Sequence, residues 1–422
     1  MQFDIVIIGG GLAGLCCGIE LLKQGKRCAL VSTGQNALHF SSGSFDLLNH
    51  LPDGTQVEYP IEALNSLMLQ EPTHPYVVMG TDKIADLAQQ AKTLLTEAGI
   101  ALKGDHHKNH QRITPLGGRR ATWMSAVDVP TAELGEALPW HSLAIVSIEG
   151  FLDFQPELAA DRLRGAGVDV QTHYLHLPEL DRVRANPSEF RAVNIARALD
   201  LPDTLTKLAD EINALKITSD AIIMPACVGL DDKAITDKLA ELVGKPIYYV
   251  STLPPSLLGI RAHHQLSRQF QRLGGVYMPG DTVLNADIDG NEIKAIYTRN
   301  HGDISLKADH FVLATGSFFS NGLVAEFDEI REPIFNLDVD KTDSLHWTAP
   351  NFFDAQPYMK FGVMTNEKLN GQINGQSITN LYVAGALLGG FNPLNEGCGA
   401  GVSLLSALHI ANTIHQIEEQ SL

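Results

Sequence analysis

Residues 4–14 read DIVIIGGGLAG, an apolar segment that runs straight into G-x-G-x-x-G. Such a pattern leaves little freedom. Gly9 permits a tight turn, Gly11 lets the backbone approach a phosphate, and Gly14 lets the following helix pack close to the strand. A helix over residues 12–24 would aim its free N–H groups and positive dipole end at an anion, normally a dinucleotide pyrophosphate. A lone G-x-G-x-x-G also occurs in glycine-rich turns of ordinary α/β domains. Here it follows an apolar strand, opens a helix and leads through Gly25 to a second strand at residues 27–31. That is the context a dinucleotide-binding unit requires.

With 422 residues, two domains are the natural expectation. A hydrophobic content of 44% with 19% charged residues is that of a globular chain. The net charge of −18 argues against a nucleic-acid partner and against adsorption to anionic lipid. No apolar run approaches the ~20 residues that span a bilayer, and no leader is read before the first strand. The expected location is cytoplasmic, with any attachment to the inner face of the cell membrane made through a partner. Cys16, Cys17, Cys28, Cys227 and Cys398 form no C-x-x-C, so neither an iron–sulfur cluster nor another metal site is expected. His106, His107 and His110 read as a solvated polar loop.

Strands and helices alternate, which indicates an α/β fold with a largely parallel sheet. Helices are expected over residues 82–98, 156–165, 189–199, 205–215, 257–273 and 402–416. Further strands are expected at 143–148, 168–171, 221–224, 275–278, 283–286, 292–299, 303–308, 309–316 and 380–385. The fold expected is a Rossmann-like nucleotide domain with an inserted α/β or α+β lobe. Residues 1–110, 256–320 and 375–422 would form the discontinuous nucleotide domain. Residues 111–255 and 321–374 would form the inserted substrate or partner lobe.

Three signals fall in a fixed order: the glycine loop, Ala314-Thr-Gly316, and Leu381-Tyr-Val-Ala-Gly385. This order resembles two-dinucleotide-binding-domain flavoproteins, in which the second signal packs beside the cofactor and the third meets the ribityl chain. Gly397-Cys-Gly399-Ala-Gly401 opens the last helix, whose N-terminal donors would stabilise negative charge on a reduced flavin. A single G-x-G-x-x-G argues against a separate nicotinamide domain, and so against electrons from NADPH. The cofactor-binding candidates are Gly9, Gly11, Leu12, Ala13, Gly14, Ser32, Ser41, Ser42, Gly43, Thr315, Gly316, Gly385, Gly399 and Ala400.

Residues 38–47, LHFSSGSFDL, sit where fumarate-reductase-like flavoproteins carry a small-residue loop over the flavin N5. Taken with PLGGRR at 115–120, GFLDF at 150–154 and PPSLLGIR at 254–261, the whole chain closely resembles the B subunits of anaerobic glycerol-3-phosphate dehydrogenase. The resemblance implies oxidation of sn-glycerol 3-phosphate to dihydroxyacetone phosphate. It also implies a catalytic A subunit as partner and an iron–sulfur, membrane-anchoring C subunit that passes electrons to quinone. The implied cofactor is FMN. Two departures bear on it: Ser32 replaces the acid that usually binds the adenosine ribose, and Ala386 replaces the acid that usually grips the ribityl chain. The first fits FMN, while the complete pyrophosphate loop fits FAD, and both remain open.

A phosphomonoester needs Arg or Lys donors, and oxidation of a carbinol needs a base for the hydroxyl proton. Arg119, Arg120 and Arg261 are the candidate phosphate donors. His263 and His264 are the candidate bases, with Asp153 to orient such a base or to cap the helix that follows it. His39 lies two residues from the place where related dehydrogenases link flavin covalently, so noncovalent binding is expected. The residues also admit a non-catalytic electron-transfer or structural flavoprotein subunit, or a flavin oxidoreductase for another small anion.

Overall fold

The computed structural model describes residues 1–420. The main sheet has six strands, in the order Val276–Pro279, Cys28–Ser32, Gln2–Ile8, Lys307–Leu313, Gln376–Val383 and Asn370–Ile373. The first four pairings are parallel and the last is antiparallel. Ile5 to Ile8 are buried, as in a parallel sheet covered on both faces. In register, Ile8 stands between Val31 and Leu313, so three strands end together at the glycine turn. The helices Leu12–Lys23, Ile84–Glu97, Leu257–Arg272 and Gly399–Glu419 pack around this sheet and one another.

A second sheet, wholly parallel, runs Asp169–Leu175, Ser142–Ile148, Ala221–Pro225 and Ile247–Val250. It has its own core, built on Leu143 to Val146 and Ile222 to Met224. Two of its elements escaped the sequence reading: the helix Ala234–Val243 and the strand Ile247–Val250. The strand is only four residues long and follows Gly244-Lys-Pro246, which reads as a turn.

Several boundaries need correction. The segment 321–374, expected in the inserted lobe, buries Leu323, Ile330, Phe335, Leu337, Phe361 and Leu369 in the first core. Its end forms the strand Asn370–Ile373, whose pairing with Gln376–Val383 draws it onto the main sheet. The separate strand expected at 303–308 is absent; Lys307–Leu313 is one strand leading into the Ala314-Thr-Gly turn. The helix expected from 189 begins at Ala192, because Arg191 is extended at its N-cap. His110 is buried in the strand His110–Ile113 rather than solvated in a loop. No helix among the described residues is long and apolar enough to cross a membrane.

Candidate functional site

The strand Gln2–Ile8 delivers its glycines to a point where neighbouring backbones crowd. Gly9 has φ +119°, and a Cβ there would stand 2.1 Å from the Ala314 carbonyl oxygen. A Cβ on Gly14 would stand 1.9 Å from the Gly9 oxygen, so this glycine sets how closely the helix Leu12–Lys23 approaches the strand. Gly11 differs. A Cβ there would meet only Asn36 Cβ, at 3.9 Å. A side chain at Gly11 would therefore project into open space.

That space is a cavity of about 640 Å³. Of the cofactor candidates, Gly9, Gly11, Leu12, Ala13, Ser32, Ser41, Thr315, Gly316, Gly385, Gly399 and Ala400 line it. Gly14, Ser42 and Gly43 do not. Gly14 serves helix packing, and Gly43, at φ +73°, lies against Leu258.

Two helices begin at the cavity. Gly11 caps Leu12–Lys23 and Cys398 caps Gly399–Glu419, and neither cap accepts a side-chain hydrogen bond. The N–H groups of Leu12 and Ala13, and of Gly399 and Ala400, are thus left to serve a ligand, while Gly401 N donates to the Asp46 carbonyl at 2.8 Å. Thr315 Oγ1 is buried on the wall with no hydrogen-bond partner. A phosphorylated ring compound fits this lining: the backbone N–H groups of two helix starts, an unsatisfied hydroxyl and a largely apolar wall.

Sequence reasoning missed part of the wall. Asn36 Nδ2 donates to the Gly10 carbonyl at 2.9 Å, and Asn36 Oδ1 accepts from Leu38 N at 3.0 Å, fixing the glycine loop against the turn that follows the second strand. An Asn before a short 3₁₀ turn was the available signal. Asp281 is buried and lines the cavity, but its carboxylate is occupied by the N–H groups of Thr282 and Asn300 and by His301. Against the opposing effect of burial, the Thr298 hydroxyl and these bonds lower its pKa. It came from a loop with no recognisable pattern.

None of the substrate candidates lines this cavity. Arg261 requires correction: its buried guanidinium donates from Nη2 to Asp128 Oδ2 at 2.9 Å and from Nη1 to the Gly229 carbonyl at 3.2 Å. It is committed to the protein. Arg119 is exposed and donates to the Glu136 carbonyl at 2.8 Å. Arg120 Nη2 lies 3.2 Å from Asp46 Oδ2. Asp153 is paired with Arg191 at 2.7 Å rather than with either histidine, and burial raises its carboxyl pKa.

His263 and His264 are adjacent in a helix and face different ways. His264 points outward to Asp231, at 2.9 Å. His263 is buried beneath the glycine loop, against the Gly10 backbone, with its ring tilted on His39 at 4.7 Å between centroids. Burial, helped by His39 and His264, pushes His263 down to about 4, so its ring is neutral at pH 7.

A second buried cluster joins His74, Glu396 and Cys398 within 4.8 Å of one another. His74 Nδ1 accepts from Tyr76 N at 3.0 Å, which leaves its proton on Nε2, 3.4 Å from Glu396 Oε2. Metal ligation through Nε2 would displace that proton while Nδ1 stays committed as an acceptor. The arrangement suits a structural His–Glu contact. It fixes the loop that precedes the last helix, since Asn49 N and His50 N both donate to the Glu396 carbonyl.

Residues 4–402 match the FAD binding domain family. The chain is 55% identical over 424 residues to the B subunit of anaerobic glycerol-3-phosphate dehydrogenase from Yersinia enterocolitica, covering 100% of each chain. It is 52% identical over 415 residues to the protein of the same name from Pectobacterium atrosepticum, covering 98% of this chain and 99% of that one. Among solved structures it is similar to E. coli quinol fumarate reductase, at 10% identity and a TM-score of 0.43, over 100% of this chain and 71% of that one.

Proposed function

The chain belongs to the FAD binding domain family and, within it, to the anaerobic glycerol-3-phosphate dehydrogenase B subunits, and from that premise we propose that it oxidises sn-glycerol 3-phosphate to dihydroxyacetone phosphate with a noncovalent flavin. The observation that carries the reading is the cavity on which two uncapped helix N-termini converge. When bound, a flavin accepts hydride from the carbinol carbon. The N–H groups at Gly11–Ala13 hold its phosphate, and the Thr315 hydroxyl gains the partner it lacks. Those at Gly399 and Ala400 favour negative charge at the ring.

The family resemblance points to FMN. A dinucleotide is the second reading, favoured by one observation: the cavity continues past the glycine loop along Ser32–Asn36 and Asp281–Val283, where an adenosine would lie. Chromatography of the flavin released on denaturation decides between them. Electrons leave through partners, a catalytic A subunit and an iron–sulfur C subunit that anchors the complex to the cytoplasmic face of the membrane and serves quinone. The exposed aromatic side chains Phe319, Phe327, Phe352 and Phe353 support a partner surface on this chain.

A non-catalytic, electron-transferring role is favoured by one further fact: no substrate candidate lines the cofactor cavity. The test is anaerobic titration of the purified flavin-loaded chain with glycerol 3-phosphate. Bleaching of the flavin absorbance supports oxidation here. A flavin that stays oxidised until the A subunit is added assigns the chemistry to the partner.

A further inference from the structure

We propose that Arg112 and Arg120 form the seat for the substrate's anionic group, a phosphomonoester, on a hairpin face beside the cofactor cavity. This rests on the substrate reading above and assigns a place to it. The strands His110–Ile113 and Arg119–Thr122 pair antiparallel, with Arg112 directly opposite Arg120 and His110 opposite Thr122. Strand alternation puts these four side chains on one face.

That face is fastened to residues 44–46. Thr122 Oγ1 and Trp123 N both donate to the Phe45 carbonyl, at 3.1 and 3.2 Å. His110 Nε2 lies 2.9 Å from Ser125 Oγ, which accepts from Ser44 Oγ at 3.3 Å. Ser44 and Phe45 line the cofactor cavity. The carbonyl of Asp46 accepts from Gly401 N, in the first turn of the helix whose Gly399, Ala400 and Ser403 also line it. The arginine face thus adjoins the end of the cavity where the last helix begins.

Like charges directly opposite in a hairpin repel, yet only one of these two guanidinium groups has a carboxylate partner. Arg120 is paired with Asp46. Among the described residues, the Arg112 side chain has no hydrogen bond or ion pair, and its Nε is buried without a partner. Asp46 Oδ1 is also buried and unpartnered. With Glu133, opposite His110 on the same face, paired to Lys108, the two guanidinium groups against Asp46 leave a net positive spot in a chain of net charge −18. A shielded guanidinium with no partner is costly, and burial lowers the Arg112 pKa accordingly. A phosphate dianion would supply the missing acceptors, since the guanidinium fork matches its oxygens. A cavity of about 200 Å³ is lined by Arg120 with Arg119, Asn49, His50 and Gln56; Arg112 is not in its wall but stands directly opposite Arg120 in the hairpin.

The experiment is calorimetric titration of the flavin-loaded full chain with inorganic phosphate, glycerol 3-phosphate and glycerol. It compares wild type with Arg112→Gln, Arg120→Gln and Arg112→Lys, with flavin content and circular dichroism recorded alongside. The expected result is that both Gln variants weaken phosphate and glycerol 3-phosphate alike by roughly 10–100-fold, that Lys falls between, and that glycerol is indifferent to all three. Unchanged binding of either phosphate in Arg112→Gln overturns the site, even where glycerol 3-phosphate still bleaches the flavin and the substrate reading stands. Arginine-dependent phosphate binding with a flavin that glycerol 3-phosphate never bleaches keeps the anion site and overturns the substrate reading. A wild-type chain that binds neither phosphate overturns the proposal.

Discussion

Replacing Arg261 by Ala separates two accounts of that residue. A substrate-binding arginine, as its position after Pro254-Pro255 suggests, would be lost at the expense of substrate affinity alone. The structure predicts a different loss. The Arg261 and Asp128 side chains are each 7% exposed, and their atoms stand 2.9 Å apart. Unit charges at that distance attract by roughly 6 kcal/mol at an effective dielectric of about 20, most of which offsets desolvation. Removing one partner leaves the other charge buried and uncompensated, which costs about 3–5 kcal/mol. Asp128 is poorly placed to absorb the change, since its Oδ1 has no partner already. The expected outcome is therefore an Arg261→Ala protein destabilised by that amount, with the Gly229 carbonyl also losing its donor. The double variant Arg261→Met/Asp128→Leu should recover most of the loss, because no buried charge remains. Urea unfolding followed by circular dichroism reads the magnitude, and hydrogen exchange shows whether the second sheet loosens first. An Arg261→Ala protein within about 1 kcal/mol of wild type, with weakened binding of glycerol 3-phosphate, would refute the reasoning.

Gly11→Val should abolish flavin binding with little effect on the fold, measured as flavin per chain and far-ultraviolet dichroism, because the new side chain enters only the cavity. Gly14→Ala should instead lose stability and flavin together, since its Cβ strikes the Gly9 carbonyl. Thr315→Val removes a buried hydroxyl without a partner, so the flavin-free protein should gain about 1 kcal/mol in thermal unfolding while flavin affinity falls by a similar amount; movement of both in one direction contradicts the role assigned to Thr315. His263 and His110 are each held near 4 by burial, below the unfolded value of about 6.5. The unfolded chain therefore binds these protons first as pH falls. Stability should be full above about 6.5 and decline toward 4, and His263→Gln should flatten that slope in unfolding measured across pH.

What could be read in the sequence was what local chemistry dictates. The turn at Gly9, the helix after it, the Ala314-Thr-Gly strand end and the glycine-opened last helix are each specified by a few consecutive residues. Eleven of the fourteen cofactor candidates meet at one cavity for that reason. Arg261 could not be read, because Asp128 lies 133 residues away and a buried ion pair leaves no periodic trace. His110 looked solvated because of its polar neighbours, yet its strand turns it inward to Ser125. Arg112 passed unnoticed for the same reason: only the register that sets it opposite Arg120 gives it meaning.

The central position of Gln2–Ile8 in the main sheet also has a consequence for synthesis. That strand and Cys28–Ser32 are made first, but the partner on the other side, Lys307–Leu313, is made last but two among the sheet's six strands. At ~5–20 residues per second the ribosome needs on the order of 15–55 s to bridge the interval. The second sheet, by contrast, is contiguous from Ser142 to Val250 and is complete well before then. The emerging chain must therefore shield an apolar, half-paired strand edge while a later-made lobe folds ahead of it, which is work for a chaperone. The cavity closes only when Gly399, Ala400 and Ser403 arrive. Flavin loading consequently waits for the last helix, and a nascent chain stalled before residue 399 should leave the ribosome without cofactor.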